Sequence, residues 1–188
     1  MERMKQKQKT FLKDIWDVIK FTFVVLIIII PIRMFIAQPF IVSGQSMLPN
    51  FHNGDYLIVN EIVYKERNPK RGEIIVFRLP YNHHRFLIKR VVGLPGETIK
   101  IQNGIVTIIT KDGKTITLDE PYIREPFKSF GEWKLKNDEY FVMGDNRNNS
   151  SDSRVWGALK RNLIVGTPLI RLFPIKDIKI HPGEDKES

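Results

Sequence analysis

The chain has 188 residues, no cysteine and a formal net charge of +9 at pH 7. This length leaves room for one compact domain of moderate size and excludes a large second domain. The absence of cysteine excludes disulfide scaffolds, thiol catalysis and cysteine-based zinc sites. The positive charge suits either a nucleic-acid partner or an anionic membrane surface, and charge alone does not choose between them.

The N-terminal residues predict a membrane anchor. Most of the charged residues among residues 1–20 are basic, and the following stretch FTFVVLIIIIPI carries no charge. That stretch is shorter than the roughly 20 helical residues needed to cross a hydrocarbon core of about 30 Å. A span over residues 16–37 is long enough, because Lys20 and Arg33 lie near its ends and can extend their charges toward the lipid headgroups.

The positive-inside rule then orients the chain across the membrane. It predicts a cytoplasmic basic segment at residues 1–15, the transmembrane anchor at 16–37, an extracytoplasmic domain at 38–180 and a flexible tail at 181–188. A cleaved secretory signal has the same basic-then-apolar order, but no A-x-A pattern follows the apolar run. A buried core helix and an interfacial helix are both disfavoured, because the run of isoleucines has no polar face.

Beyond residue 38, short β-like runs alternate with turn signals, which predicts an all-β or strongly β-dominated domain. The Asn103-Gly104 and Asp112-Gly113 pairs suit two-residue hairpin turns, so residues 97–118 should form a three-stranded meander. No segment after the anchor has a sustained helical period. Further strands are predicted at residues 56–64, 72–79, 86–94, 139–144 and 163–173.

The stretch IVSGQSMLPNF, residues 41–51, places a serine on a turn that suits neither a regular helix nor a regular strand. Ser46 there is either a solvated turn residue or a nucleophile that a substrate can reach. The G-x-S-x-G pattern of many hydrolases is absent, because Leu48 stands where its second glycine would be. The choice depends on whether the rest of the chain supplies a base.

Histidine and lysine are the candidate bases. His52, His83, His84 and His181 lie in settings that do not suggest a buried, oriented imidazole. Lys89 lies in the apolar strand RFLIKRVVGL, and burial of its ammonium would lower its pKa enough for it to act as a base. The alternative is an edge-strand lysine that blocks aggregation.

A third stretch, GDNRNNSSDSRVWG, covers residues 144–157 and follows a predicted strand. Such a loop can simply cap its own backbone with Asx side chains. It can also supply a hydroxyl that orients a lysine, together with an Asp/Arg pair that holds that hydroxyl in place.

Together with the anchor, the stretches SGQSMLPNFHNGD, RGEIIVF, IKRVVGLPGE and GDNRNNSSDSRVWG resemble type I signal peptidases, the membrane-anchored Ser/Lys endopeptidases that remove signal peptides from exported proteins. The resemblance implies a mainly β fold, with a single β-rich catalytic domain of the signal-peptidase/LexA-like type behind one transmembrane helix. It implies Ser46 as the nucleophile and Lys89 as the general base. It also implies that Ser150 hydrogen-bonds the lysine and that Asp152 and Arg154 form an ion pair supporting this loop.

The chain departs from the family pattern at four positions. Asn50 stands where threonine is usual, and Glu73 and Glu97 stand where aspartate is usual. Gly44 occupies the position at which some members carry a serine whose hydroxyl completes the oxyanion hole. The backbone N–H of Ser46 is therefore the one implied oxyanion donor, and the second donor, near Gly44, stays open.

The resemblance also implies the partners. The substrates would be signal peptides of exported preproteins, with small residues at the first and third positions before the cut, bound by strand addition near residues 40–44. The Ser/Lys mechanism requires no metal or organic cofactor, and no nucleic-acid partner is expected. The bilayer of the bacterial cytoplasmic membrane is a further partner, and proximity to the secretion translocon is expected.

Two other classes of protein fit parts of the same sequence. A self-cleaving repressor of the LexA type shares a Ser/Lys dyad, but should carry a helix-turn-helix where this chain has a membrane span. A non-catalytic anchored β-domain could use its positive charge to bind anionic lipid, cell-wall polymer or nucleic acid. In PFKSFGEW, the aromatic residues Phe127, Phe130 and Trp133 suit either a surface against lipid or the core.

Overall fold

The computed structural model of the protein describes residues 14–27 and 37–183. The chain divides into two compact units, residues 1–37 and 38–188. In the first unit, residues 14–27 form helix α1. The rest of the predicted anchor, residues 28–36, lies outside the described residues. Within the described ranges, no helix is both long enough and apolar enough to span a membrane.

The second unit is mainly β, as the sequence predicts, and its larger sheet has eight strands. The strand order is β1-β2-β11-β3-β4-β9-β10, and β12 pairs with β11 outside this path. Strand β1 therefore lies at an end of the sheet. The strands are β1 (Ala37–Ile41), β2 (Tyr56–Asn60), β3 (Ile74–Leu79), β4 (Asn82–Gly93), β9 (Glu139–Met143), β10 (Leu159–Lys160), β11 (Ile164–Phe173) and β12 (Lys179–Ile180).

The smaller sheet has four strands in the order β7-β6-β5-β8, and its first three strands confirm the predicted meander. Asn103 and Gly104 connect β5 to β6 with φ values of 50° and 82°, the left-handed backbone that a two-residue hairpin turn requires. The strands are β5 (Thr98–Gln102), β6 (Ile105–Ile109), β7 (Thr115–Thr117) and β8 (Gly131–Lys134).

The predicted strand over residues 56–64 ends early, because a helical turn follows it. The side-chain oxygen of Asn60 accepts hydrogen bonds from the backbone N–H groups of Ile62, at 3.0 Å, and Val63, at 3.3 Å. This cap turns the chain out of the sheet. The helical segments of the second unit are α2 (Val63–Glu66), α3 (Ser153–Trp156) and the 3₁₀ turns Arg161–Leu163 and Ile175–Asp177.

The prediction of a flexible tail beginning at residue 181 is wrong for residues 181–183. The backbone N–H of His181 donates to the carbonyl of Leu169 over 2.8 Å. The carbonyl of Gly183 accepts a hydrogen bond of 3.1 Å from the buried guanidinium of Arg90. The local sequence does not signal this packing, since both partners come from distant strands. Residues 184–188 lie outside the described residues.

The core contains three clusters of buried apolar side chains. One brings together residues of both sheets, and in it the ring of Phe141 on β9 lies 4.9 Å from that of Trp133 on β8. A second surrounds Phe77 on the larger sheet. The third underlies the segment that carries Ser46. Its members are Val42, Met47, Phe51, Leu57, Val59, Ile74 and Val76.

The aromatic stretch over residues 126–133 belongs mainly to the core rather than to the surface. Phe127 is 7% exposed and joins the cluster that contains Phe141, while Trp133 packs against it. Phe130 is 66% exposed. Two of the three aromatic side chains are therefore packing residues.

Phe141→Ala should lower the free energy of unfolding by about 3–5 kcal/mol, because it removes a fully buried ring from the cluster that includes residues of both sheets. Phe130→Ala is the matched control and should change the free energy of unfolding by no more than about 0.5 kcal/mol. Denaturant unfolding of the full chain in neutral detergent measures both values. Equal effects of the two substitutions would contradict this description of the core.

Candidate active site

Ser46 and Lys89 are 43 residues apart in the sequence but adjacent in space. Lys89 Nζ lies 2.6 Å from Ser46 Oγ, within hydrogen-bond distance. Nζ also donates a hydrogen bond of 2.8 Å to the carbonyl of Ile88. Lys89 is only 2% exposed, so its amine is held in a site that is almost free of bulk water.

Burial lowers the pKa of Lys89 to about 8, because a charged ammonium is disfavoured away from water. The charges of Asp152 and Asp145 oppose this effect, and the charge of Arg85 adds to it. Both aspartates already have an arginine partner: Asp145 pairs with Arg90 and Asp152 pairs with Arg154. Their attraction for the Lys89 ammonium is therefore too weak to offset its burial.

The neighbouring cation, Arg90, has the opposite environment. It is also 2% exposed, but its Nε and Nη2 atoms donate to the two carboxylate oxygens of Asp145, each over 2.8 Å. Its guanidinium carbon lies 3.9 Å from the ring centre of Tyr122. Paired on two sides, Arg90 keeps its charge. The sequence signal that could have predicted this ion pair was an arginine within an apolar strand, because a buried arginine requires a buried carboxylate.

The Asp145 loop holds the segment that carries Ser46. The backbone N–H of Asn146 donates to the carbonyl of Ser46 over 3.0 Å, and its side chain donates to the carbonyl of Gln45 over 3.1 Å. The side-chain amide of Asn50 donates to Asp145 over 2.7 Å. Asn50, one of the departures from the family pattern, therefore links the serine segment to the carboxylate that binds Arg90.

Arg171 on β11 holds the same segment from its other end. It forms an ion pair of 3.3 Å with Asp55, and its Nη2 donates to the carbonyl of Asn50 over 2.5 Å. Asp55 in turn accepts a hydrogen bond of 3.0 Å from the backbone N–H of His52. The turn that carries Ser46 is thus held at Asn50 by two buried charged groups, Asp145 and Arg171, and at Gln45 and Ser46 by Asn146.

Asp152 and Arg154 form an ion pair with two hydrogen bonds, each 2.8 Å long. Asp152 also accepts a bond of 3.1 Å from the backbone N–H of Gly144, at the end of β9. A Cβ atom at Gly144 would lie 2.3 Å from Ser150 Oγ and 2.4 Å from the carbonyl oxygen of Ser46. Glycine at this position lets Ser150 lie beside the serine segment.

The hydrogen bond that the resemblance implies between Ser150 and Lys89 is not present in this structure. Ser150 Oγ is buried and has no hydrogen-bond partner among the described residues. The amine of Lys89 contacts Ser46 Oγ and the carbonyl of Ile88 instead. Ser150 is therefore a buried hydroxyl close to the pair, with its hydrogen-bonding capacity unused.

The backbone N–H groups of Ser46 and Gly44 in the serine turn differ in their hydrogen bonds. The backbone N–H of Ser46 donates no hydrogen bond to any described group. That of Gly44 donates to the side chain of Asn53 over 2.9 Å, and the identity of a second oxyanion donor near Gly44 stays open. Gly44 has a φ of 100°, which favours glycine over serine at this position.

Ser46 and Lys89 lie at one side of a cleft with a volume of about 200 Å³. Its walls come from the end of β1 and from β4, and none of the residues that line it is a histidine. Over the described ranges, no group of three or more acidic or histidine side chains could hold a metal ion. The other lining residues are Phe40, Ile41, Val42, Ser43, Leu57, Val76, Arg85, Phe86, Leu87 and Ile88.

This fold and site define a class of protein. The family model described as "Signal peptidase, peptidase S26" matches residues 15–173, which include every residue of the site. The chain belongs to this family.

The names of similar proteins are more specific than the name of the family. "Probable signal peptidase I-1" of Synechocystis sp. is 41% identical over 159 residues, 80% of this chain and 79% of that protein. "Signal peptidase I P" of Bacillus subtilis subsp. natto is 36% identical over 188 residues, 94% of this chain and 98% of that protein. A crystal structure of a signal peptidase I from Enterococcus faecalis is 29% identical, with a TM-score of 0.46, and covers 54% of this chain and 97% of its own.

The two neighbouring cations predict opposite effects on stability when each is replaced by methionine. Lys89→Met should raise the free energy of unfolding at pH 7 by up to about 3 kcal/mol, because it removes an unpaired buried amine. Arg90→Met should lower it by about 3–5 kcal/mol, because it leaves Asp145 buried without its partner. Denaturant unfolding of the full chain measures both.

The gain from Lys89→Met should depend on pH in a defined direction. The folded protein binds the Lys89 proton more weakly than the unfolded chain, with pKa values of about 8 and 10.5. The cost of burial is therefore fully present below about pH 8 and disappears as the pH rises toward 10.5. A gain that stays constant across this window would contradict the assignment.

Proposed function

We propose that this chain is a membrane-anchored serine endopeptidase of the type I signal peptidase class, which removes N-terminal signal peptides from exported proteins. The observation that carries the proposal is the distance of 2.6 Å between Lys89 Nζ and Ser46 Oγ, with the lysine almost fully buried. Membership of the signal peptidase family and the names of its bacterial relatives support the choice of substrate.

The proposed reaction is acyl transfer in two steps. Neutral Lys89 takes the proton of Ser46 Oγ, which attacks the scissile carbonyl, while the Ser46 N–H stabilises the oxyanion. The protonated lysine then gives its proton to the leaving amine. In the second step Lys89 takes a proton from water, which attacks the acyl-enzyme. The bond to Ser46 Oγ breaks, the signal peptide is released, and Lys89 returns the proton to Ser46 Oγ. With a pKa of about 8, roughly a tenth of Lys89 is already neutral at pH 7.

The cleft suits an extended peptide with small side chains. Strand β1 lies at the end of its sheet, and β9 pairs with β4 only from Arg90 onward, so the earlier part of β4 lacks that neighbour. A substrate strand bound along residues 40–44 presents alternate side chains to the cleft, because strands have a period of two. A volume of about 200 Å³ favours small residues at the first and third positions before the cut.

The proposed location is the bacterial cytoplasmic membrane. The basic N-terminus remains in the cytoplasm, residues 16–37 contain the single transmembrane helix, and the catalytic domain lies outside. This topology holds the active site near the membrane, where preproteins emerge from the translocon with their signal peptides still attached. Within the span, residues 16–27 are helical.

If Lys89 is the general base, Lys89→Arg should abolish cleavage and leave the fold intact, because a guanidinium stays protonated at any working pH. Ser46→Ala should abolish cleavage as well. In a non-catalytic binding domain, the same substitution would leave binding unchanged. In the parent protein, kcat/KM should rise with pH and level off above an apparent pKa of about 8. Cleavage of a synthetic signal-peptide substrate measures all three.

Two results would reject this assignment. One is substantial activity in Lys89→Arg. The other is a pH profile of the parent enzyme that rises only near the ordinary lysine pKa of about 10.4, which would require an exposed amine.

Ser150 is proposed to orient Lys89 during the reaction, since its buried hydroxyl is unpaired and lies beside Gly144. Ser150→Ala should lower kcat by about 30- to 1,000-fold with little change in KM, by analogy with the loss of one preorganised hydrogen bond. Asp152→Ala should also lower thermal stability, because Asp152 holds both Arg154 and the backbone of Gly144. If Ser150→Ala cleaves at the parent rate, the hydroxyl has no orienting role.

A further inference from the structure

A second cleft, with a volume of about 610 Å³, carries charged groups that the proposed reaction does not use. We call it the basic cleft. Its cationic side chains come from three elements: Lys65 on α2, Arg78 at the end of β3, and Arg161 on the 3₁₀ turn before β11. Glu61 is the one carboxylate among the described residues that line it.

None of the three cations forms an ion pair with a described carboxylate. Arg161 donates to the side chain of Asn68 and to backbone carbonyls, which leave its charge uncompensated. The guanidinium carbon of Arg78 lies 5.3 Å from the ring centre of Phe86. Three positive charges facing one cleft repel each other, and one half-buried carboxylate is not enough to balance them. A bound anion would stabilise this arrangement.

Apolar side chains form a part of the basic cleft, beside the polar side chains of Gln38, His83 and Asn162. Leu163 and Ile164 are partly or fully buried beside it, and the ring of Phe86 forms part of its wall. A cleft with cationic groups beside apolar side chains matches a molecule whose anionic phosphate is joined to a hydrocarbon part. An inorganic anion would leave the apolar side uncovered.

The basic cleft includes a residue next to the proposed membrane span, which favours a lipid over a soluble phosphate as the ligand. Gln38 lines the basic cleft, and it is the first residue after the proposed membrane span at residues 16–37. The headgroup layer on each side of a bilayer is about 5–7 Å thick, and one residue of extended chain covers about 3.5 Å. If the proposed span ends at residue 37, the chain at Gln38 lies within the layer that contains the lipid phosphates.

From this combination we propose that the basic cleft binds the phosphate of an anionic phospholipid. Lys65 and Arg78 contact the phosphate, Arg161 adds positive potential, and Phe86 packs against the glycerol or the first methylene groups. Phe86 also lines the substrate cleft and lies 5.2 Å from Phe40, ring centre to ring centre. A lipid bound on one side of this ring thus borders the site where the peptide is cut.

The choice of lipid rests on the proposed membrane span but not on the proposed peptidase activity. The test therefore measures binding and not cleavage. The full chain in neutral detergent is titrated with dihexanoyl phosphatidylglycerol in a calorimeter, with dihexanoyl phosphatidylcholine and inorganic phosphate as comparison probes.

The double variant Lys65→Gln/Arg78→Gln should weaken phosphatidylglycerol binding by about 30-fold, since each cation near an anionic lipid surface contributes about 1 kcal/mol. The matched control is Lys114→Gln/Lys134→Gln, which removes the same charge from exposed positions on the smaller sheet and should change affinity by less than about 3-fold. Arg78→Lys should retain binding. Thermal unfolding checks that each variant is folded.

Three results would overturn the proposal. Undetectable binding of phosphatidylglycerol to the parent chain is the first. The second is an equal loss of affinity in the two double variants, which would mean that the protein's overall charge and not the cleft attracts the lipid. The third is binding of inorganic phosphate as tight as that of the lipid, which would identify a soluble phosphate as the ligand.

Discussion

Two neighbouring cations on strand β4 are buried, and only one of them has a carboxylate partner. This inequality is the constraint on which the candidate active site depends. Arg90 is held by both oxygens of Asp145 and stays charged, whereas Lys89 has only a hydroxyl and a carbonyl in contact with its nitrogen. Burial without a counter-ion costs an ammonium several kcal/mol, and loss of its proton relieves that cost. The stability given up at Lys89 is therefore what favours its neutral amine over the ammonium.

The Arg90–Asp145 pair also organises the loops around the lysine. Asp145 begins the loop after β9, and it accepts a hydrogen bond from Asn50 in the segment that carries Ser46. Residues of this loop bind the backbone at Ser46, and Asp152 holds the end of β9 at Gly144. One buried ion pair thus connects the strand that carries Lys89, the turn that carries Ser46 and the loop after β9.

Pattern and composition anticipated a large part of the architecture. The meander over residues 97–118 followed from two Xaa-Gly turns, because such pairs dictate the local backbone. The sequence did not predict the register in which β4 and β9 pair, although this register brings residues 89 and 144 close together. The order of strands in the larger sheet was also beyond reach, since β2 pairs with β11 across more than a hundred residues of chain. The cap at Asn60 was missed because it depends on a short-range competition between strand and turn. The packing of residues 181–183 was missed because it depends on partners elsewhere in the chain.

By itself, the sequence determined which residue types can form the site: a serine on a turn, a lysine within an apolar strand, and a loop rich in hydroxyl and carboxylate groups. These features are local, and local chemistry can be read from the order of residues. Only the tertiary structure decided that the serine and the lysine meet at 2.6 Å, that the lysine lacks an ion-pair partner while its neighbour has one, and that the hydroxyl of Ser150 remains unpaired. Burial and pairing are properties of groups brought together from distant parts of the chain, so the lowered pKa of Lys89 exists only in the folded protein.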